Sequence, residues 1–138
     1  MSAVNCLFCN IISGQIPCAK IYEDQHVLAF LDINPIAPGH TLVLPKPHYP
    51  TLLDLAPGQG EALLQALRKV GAAVQKATNA PGFNVMQNNF SAAGQVIFHL
   101  HFHVIPRFDN DGLPDWAGKP YADNAAMQRM AQAIASIL

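Results

Sequence analysis

Between Pro57 and Thr78 the apolar residues Leu63, Leu67, Val70, Val74 and Ala77 recur three or four positions apart, which lays one apolar stripe along a helix. Pro57 suits the first turn of that helix, and Pro81-Gly82 excludes its continuation. Elsewhere the period shortens to two. Ile21 to Glu23, Val27 to Leu31, Thr41 to Leu44, Phe83 to Gln87 and Phe98 to Ile105 read as strands bounded by Pro and Gly. Phe8 to Ser13 forms a short helical turn closed at Gly14, and Ile16-Pro17 begins an extended connection. Met127, Met130, Ala131, Ile134 and Leu138 mark an amphipathic C-terminal helix, preceded by a loop from Asn110 to Asp123 around Trp116. Strands broken by one long helix imply an α+β fold with a mainly antiparallel sheet.

Composition narrows the class. The chain has 138 residues, of which 51% are hydrophobic and 12% charged, with a net charge of −1. That length holds one domain with a real core. No basic patch calls for nucleic acid, and no stretch reaches the roughly 18 apolar residues of a membrane span. Met1 to Leu7 lacks a positive segment leading into an apolar run, so a cytoplasmic location is expected. The low charge agrees with surface lost to a partner subunit. The odd count of three cysteines, Cys6, Cys9 and Cys18, makes no disulfide framework.

The densest chemistry lies in Phe98-His99-Leu100-His101-Phe102-His103-Val104-Ile105-Pro106. Strand geometry puts His99, His101 and His103 on one face and the apolar residues on the other. Imidazoles titrate near neutrality and serve as acids, bases, nucleophiles or ligands. Same-face neighbours lie roughly 6.6 Å apart, so His99 and His103 are about 13 Å apart, too far to chelate one ion comfortably. A three-histidine zinc site is therefore disfavoured.

Three further clusters bear on this row. Asn88 to Gln95 is rich in small and amide residues that let backbone N–H groups approach an anion, or it is an ordinary connection. Asp32, in Phe30-Leu31-Asp32-Ile33-Asn34, is either a turn residue or an acceptor for sugar hydroxyls beside apolar walls for a base. Cys6-x-x-Cys9 supplies half of a tetrahedral zinc site, with His48 and His99 as natural further ligands; a redox role fits less well because no strand precedes the pair.

The sequence His99-Leu100-His101-Phe102-His103-Val104-Ile105 fits the signature His-φ-His-φ-His-φ-φ, with φ apolar, and so resembles the histidine-triad (HIT) family in its bacterial, protein-kinase-C-interacting-protein-like branch. The likeness runs from Cys6-Leu7-Phe8-Cys9 through Pro38-Gly39-His40 to Pro106-Arg107 and implies one HIT domain over 1–138, with 108–138 a variable tail and helix. It further implies a five-stranded sheet extended across a homodimer, with a purine nucleotide bound on each subunit. Leu7, Phe8, Ile11, Phe30, Ile33 and Leu42 match the family's base and sugar pocket, and Asp32 its ribose-binding acid. Asn88, Gly94, Gln95 and Val96 match the phosphate and leaving-group loop. His101 matches the nucleophile, His103 its phosphate-contacting neighbour, and His40 a histidine that approaches the triad. Cys6, Cys9, His48 and His99 match a structural zinc set, and no organic cofactor is expected.

The chemistry this implies begins with attack of neutral His101 on the α-phosphorus of a nucleoside phosphoramidate or dinucleoside polyphosphate, giving a nucleotidyl-histidine that water hydrolyses. His103, Gln95 and backbone N–H groups near Gly94 would stabilise the phosphoryl oxygens, while His99 orients its neighbour or holds the zinc. Val96 replaces the Ser or Thr of many relatives and has no proton to offer a leaving group; Leu31 is a histidine in some. The competing expectation is a nucleotide-binding regulator with vestigial catalysis.

Overall fold

In the computed structural model residues 5–114 and 116–138 are described. The leader reading over Met1 to Leu7 extends to residues 1–4, and the Asn110 to Asp123 loop includes Asp115; those five positions lie outside the described residues. The elements run α1 (Leu7–Ile12), β1 (Lys20–Glu23), β2 (Val27–Leu31), β3 (Thr41–Pro45), α2 (Gly60–Thr78), β4 (Gly82–Gln87), β5 (Phe102–Arg107) and α3 (Asn124–Ala135).

The five strands form one sheet in the order β1-β2-β3-β5-β4, every neighbouring pair antiparallel. Side chains alternate across it as the period of two demands. Val27, Ala29, Val43 and Val104 join Leu63, Leu67, Val70 and Val74 of α2 in one core. Leu28, Phe30, Leu42 and Leu44 face the other way and pack with Cys6 and Phe8 of the α1 segment. Each fully buried Leu or Val contributes about 1.5–3 kcal/mol, so both faces are held. β4 forms one edge of the sheet.

Two boundaries near the site differ from the sequence reading. α2 starts at Gly60 rather than near Pro57, because Gly58 takes φ +86° and turns the chain before the helix can begin. β5 starts at Phe102 rather than Phe98. Leu100 keeps its alternating place in the core, but its N–H donates to the Tyr49 carbonyl at 2.6 Å instead of joining a ladder. His99 and His101 therefore precede the strand that carries His103. α3 forms as expected, capped by the Asp123 side chain on the Ala126 amide, and buries none of its residues. Among the described residues no helix is long and apolar enough to cross a membrane.

Candidate active site

Below the sheet face that carries Leu42 and Leu44, four donors converge from three parts of the chain. Cys6 caps α1 by accepting the Cys9 amide on Sγ, which brings both thiols to one end of that helix. Lys46 and Pro47 carry the chain from β3 to His48, and the segment before β5 supplies His99. Cys6 Sγ and Cys9 Sγ each lie 3.5 Å from His99 Nδ1. His48 Nδ1 is 3.4 Å from Cys9 Sγ and 3.3 Å from His99 Nδ1. A tetrahedral zinc with bonds of about 2.3 Å to sulfur and about 2.05 Å to nitrogen requires edges of about 3.5 Å for S···N and about 3.3 Å for N···N. The residues fit such an ion.

The proton positions agree with that fit. His99 Nε2 lies 2.8 Å from the Pro45 carbonyl, which can only accept, so the neutral ring carries its hydrogen there and its lone pair on Nδ1. Burial drives the His99 pKa down to about 4, opposed in part by that bond. Burial, reinforced by the Cys6 side chain, pushes the Cys9 thiol up to about 11. A divalent cation is what would hold such a thiol as thiolate.

The other two histidines of the row are fixed by the same logic. His101 Nδ1 donates to the His99 carbonyl at 2.7 Å, which leaves Nε2 as the bare nitrogen of the neutral ring. Burial lowers the His101 pKa and so keeps the ring neutral. His40 Nδ1 accepts the Ile36 amide at 3.0 Å. Its proton therefore sits on Nε2 and is donated to His103 Nδ1 at 2.9 Å, leaving the His103 proton on Nε2. Burial, with His101 and His40 alongside, takes the His103 pKa down to about 4. Asp32, His40 and His103 could also be read as a metal set, but the proton on His40 Nε2 occupies the atom a metal would need.

His40 owes its position to the turn before it. Gly39 has φ +100°, and a Cβ there would lie 2.8 Å from Thr78 Cγ2, so only glycine passes under α2 at this point.

His101 and His103 line a cavity of about 490 Å³. Leu7, Phe8, Ile11, Phe30, Ile33 and Leu42, expected at a base and sugar pocket, all line it. Asp32 is its one acidic group, and no lysine or arginine is among the described lining residues. Asp32 fills the turn role weighed for it, Oδ1 accepting the Asn34 amide at 2.8 Å; the residue also lines the cavity, and Oδ2 lies 3.7 Å from His40 Nε2. Ile16, Pro17, Cys18 and Ile97 also line it. Sequence reasoning missed them, although Ile16 and Pro17 begin the connection from α1, where the Ile16 amide bonds back to the Asn10 carbonyl at 3.1 Å.

The loop from Asn88 to Val96 is only partly as expected. Asn88, Gly94 and Val96 line the cavity, and the Asn88 carboxamide bonds to no other described residue. Gln95 does not line it. Its side chain is buried, donating to the carbonyls of Pro50 at 2.7 Å and Ile97 at 3.2 Å and accepting the Phe90 amide at 2.7 Å. The amides of Ala93, Gly94 and Gln95 donate to Phe90, Ser91 and Phe90 carbonyls within the loop. Gln95 thus shapes the loop, and the donors that the cavity-lining residues offer there are His103 Nε2–H and the Asn88 carboxamide. A wider depression of about 660 Å³ lies where β4 begins and β5 ends; its Arg107 is engaged by Asp111 and Asn84, and none of the histidines lines it.

Residues 13–110 match the HIT domain family. The chain is 47% identical over 115 residues to an Arabidopsis thaliana protein named adenylylsulfatase HINT3, covering 83% of this chain and 57% of that protein, so it spans little more than half of that relative. It is 41% identical over 104 residues to adenosine 5'-monophosphoramidase hnt1 of Schizosaccharomyces pombe, with 75% of each chain covered. A crystal structure of a HIT family member from Bacillus subtilis superposes with a TM-score of 0.89 at 40% identity over 97% of both chains. A zinc-bound histidine triad protein from Mycobacterium smegmatis gives 0.76 at 34% identity, covering 96% of this chain and 99% of that one.

Proposed function

The chain belongs to the HIT domain family, and from that membership we propose that it is a nucleotide hydrolase cleaving purine nucleoside phosphoramidates at the α-phosphate through His101. One observation carries the reading: the His99 carbonyl pins the proton of His101 on Nδ1, which leaves Nε2 bare on a ring that lines the cavity with Phe8, Phe30 and Asp32. The lone pair on Nε2 forms a bond to phosphorus while the P–N bond breaks, and the amine leaves with the bonding pair and takes a proton from solvent water. Water then attacks phosphorus, gives up a proton to solvent, breaks the bond between phosphorus and Nε2, and releases the nucleotide with neutral His101 restored. The His103 Nε2 proton, held in place by His40, and the Asn88 carboxamide stabilise the phosphoryl oxygens in both steps. Phe8, Phe30 and Ile11 enclose the purine, and Asp32 accepts from the ribose hydroxyls.

Charge selects among substrates. With Asp32 the only carboxylate and no lysine or arginine among the described lining residues, a single anionic phosphate is tolerated. Each further phosphate adds a negative charge that no described lining cation meets. This favours phosphoramidates over dinucleoside polyphosphates. Cys6, Cys9, His48 and His99 would hold a zinc ion, which would supply structural anchoring.

A denaturing quench during turnover of an adenosine phosphoramidate, followed by peptide mass mapping, tests the proposal. A nucleotidyl adduct on the His101 peptide is expected, and His101→Ala should lose both adduct and activity. No adduct together with an active His101→Ala would remove His101 as the nucleophile, and no turnover by the wild type would leave a binding protein.

A further inference from the structure

α1 is six residues long and has work on two sides. Cys6 and Cys9 turn toward the metal set, while Leu7, Phe8 and Ile11 form a wall of the nucleotide cavity. A helix this short has little stability of its own, so its position depends on what holds each side.

Phe8 is the shared element. Its buried ring lies edge-on to His101 at 5.0 Å and 89°, to His99 at 6.1 Å and 71°, and to Phe30 at 5.7 Å and 76°. It therefore touches a proposed metal ligand, the proposed nucleophile and the base wall together. A second link runs through the backbone: His99 faces the metal set with Nδ1 and holds the His101 proton with its carbonyl at 2.7 Å. Any shift of His99 or of α1 moves the atoms that aim His101.

We infer that metal occupancy at Cys6, Cys9, His48 and His99 and nucleotide occupancy of the cavity reinforce one another through Phe8 and the His99 carbonyl. The inference rests on the proposed zinc and nucleotide sites. It makes Phe8 a positioning residue as well as a wall, and makes the metal set a control on nucleotide affinity. Linkage requires the effect to be mutual: the factor by which zinc tightens AMP binding is the factor by which AMP tightens zinc binding.

The test uses the full chain, AMP and Zn2+. AMP affinity is measured by calorimetry on zinc-loaded and chelator-stripped protein, with circular dichroism reporting the fold of each. Zinc affinity is measured against a competing chelator with and without AMP. Coupling of about 5–150-fold is the ordinary range; loss of at least fivefold in AMP affinity on stripping is expected, with an equal gain in zinc affinity on adding AMP. Phe8→Leu should still hold zinc, and its coupling factor should fall toward one. Equal AMP affinity in the two forms overturns the inference. So does global unfolding on stripping, since the route is local, and so does undiminished coupling in Phe8→Leu. Failures of the underlying reading look different: zinc-loaded protein that ignores AMP removes the nucleotide site, and protein that takes up no zinc removes the metal site.

Discussion

Replacing Asp32 with asparagine removes the carboxylate charge at the proposed sugar contact, and with it the pairing of Oδ2 with His40 Nε2 at 3.7 Å, so the readout must be specific to the sugar. The two side chains have the same shape, and Asn keeps a carbonyl oxygen to accept the Asn34 amide now held at 2.8 Å, so the turn after β2 should survive. What disappears is the charge and one acceptor facing the ribose. Hydrogen bonds to a charged group contribute about 1.5–3 kcal/mol. The Asp32 side chain is 21% exposed, which weakens its bonds through competition with water, so the lower half of that range applies. At 1.4 kcal/mol per decade, about 1.5–2 kcal/mol is a loss of roughly 10–30-fold in AMP affinity. The decisive comparison is a cycle with adenosine, 2'-deoxy and 3'-deoxy monophosphates titrated calorimetrically into wild type and Asp32→Asn. Wild type should prefer the ribonucleotide, and Asp32→Asn should lose most of that preference. Equal affinity of wild type for all three, or a variant that weakens every nucleotide alike, would refute the assignment of Asp32 to the sugar.

Three other outcomes follow from the geometry. Burial holds His103 neutral down to about pH 4, whereas an unfolded histidine takes up its proton near 6.5. The unfolded chain therefore binds more protons between those values, and stability should fall as pH drops from 6.5 toward 4, by on the order of 1–3 kcal/mol; urea melts at pH 7, 5.5 and 4.5 that coincide would contradict this. Phe90 sits at φ +69° and ψ 159°, a region close to glycine-only, which costs about 1–3 kcal/mol. Phe90→Gly should accordingly raise the thermal midpoint, and a lowered midpoint would mean the ring packs more than its 52% exposure implies. β4 presents an unpaired edge with Phe83 and Val85 exposed, on the side of the sheet where Val104, the partner of Val85, meets α2. We propose that a second copy pairs there, as an exposed apolar edge invites; sedimentation should give a dimer, and Val85→Lys a monomer.

Most of the frame was readable because each buried face imposes a period. Val27 and Ala29 against Leu28 and Phe30 split cleanly between the two cores, as their alternation requires. The four thiol and imidazole groups named for a metal come together, and the wall residues named from the family resemblance line one cavity. Conformation within loops was not readable. Nothing in Asn88-Asn89-Phe90 signals a left-handed phenylalanine, because that geometry is imposed by the bonds Gln95 makes to Pro50, Ile97 and Phe90. For the same reason Gln95 has the chemistry of a phosphate ligand and the position of a brace.

The histidine row shows how a correct pattern can hide the more useful geometry. On one regular strand His99, His101 and His103 would stand roughly 6.6 Å apart in identical settings, and nothing would distinguish them. The chain instead joins the sheet only at Phe102. Outside the ladder, the His99 carbonyl is free to accept from its neighbour two residues on; in a strand it would face an adjacent strand. The departure from the sheet thus assigns the tautomer of His101, and the turn at Gly39 assigns that of His103 through His40. Two rings 5.0 Å apart are left with opposite protonation toward one cavity, a bare nitrogen on His101 and a proton on His103. That asymmetry is what a phosphoryl displacement needs, a nucleophile and a donor on the same phosphorus, and it comes from where the strand begins.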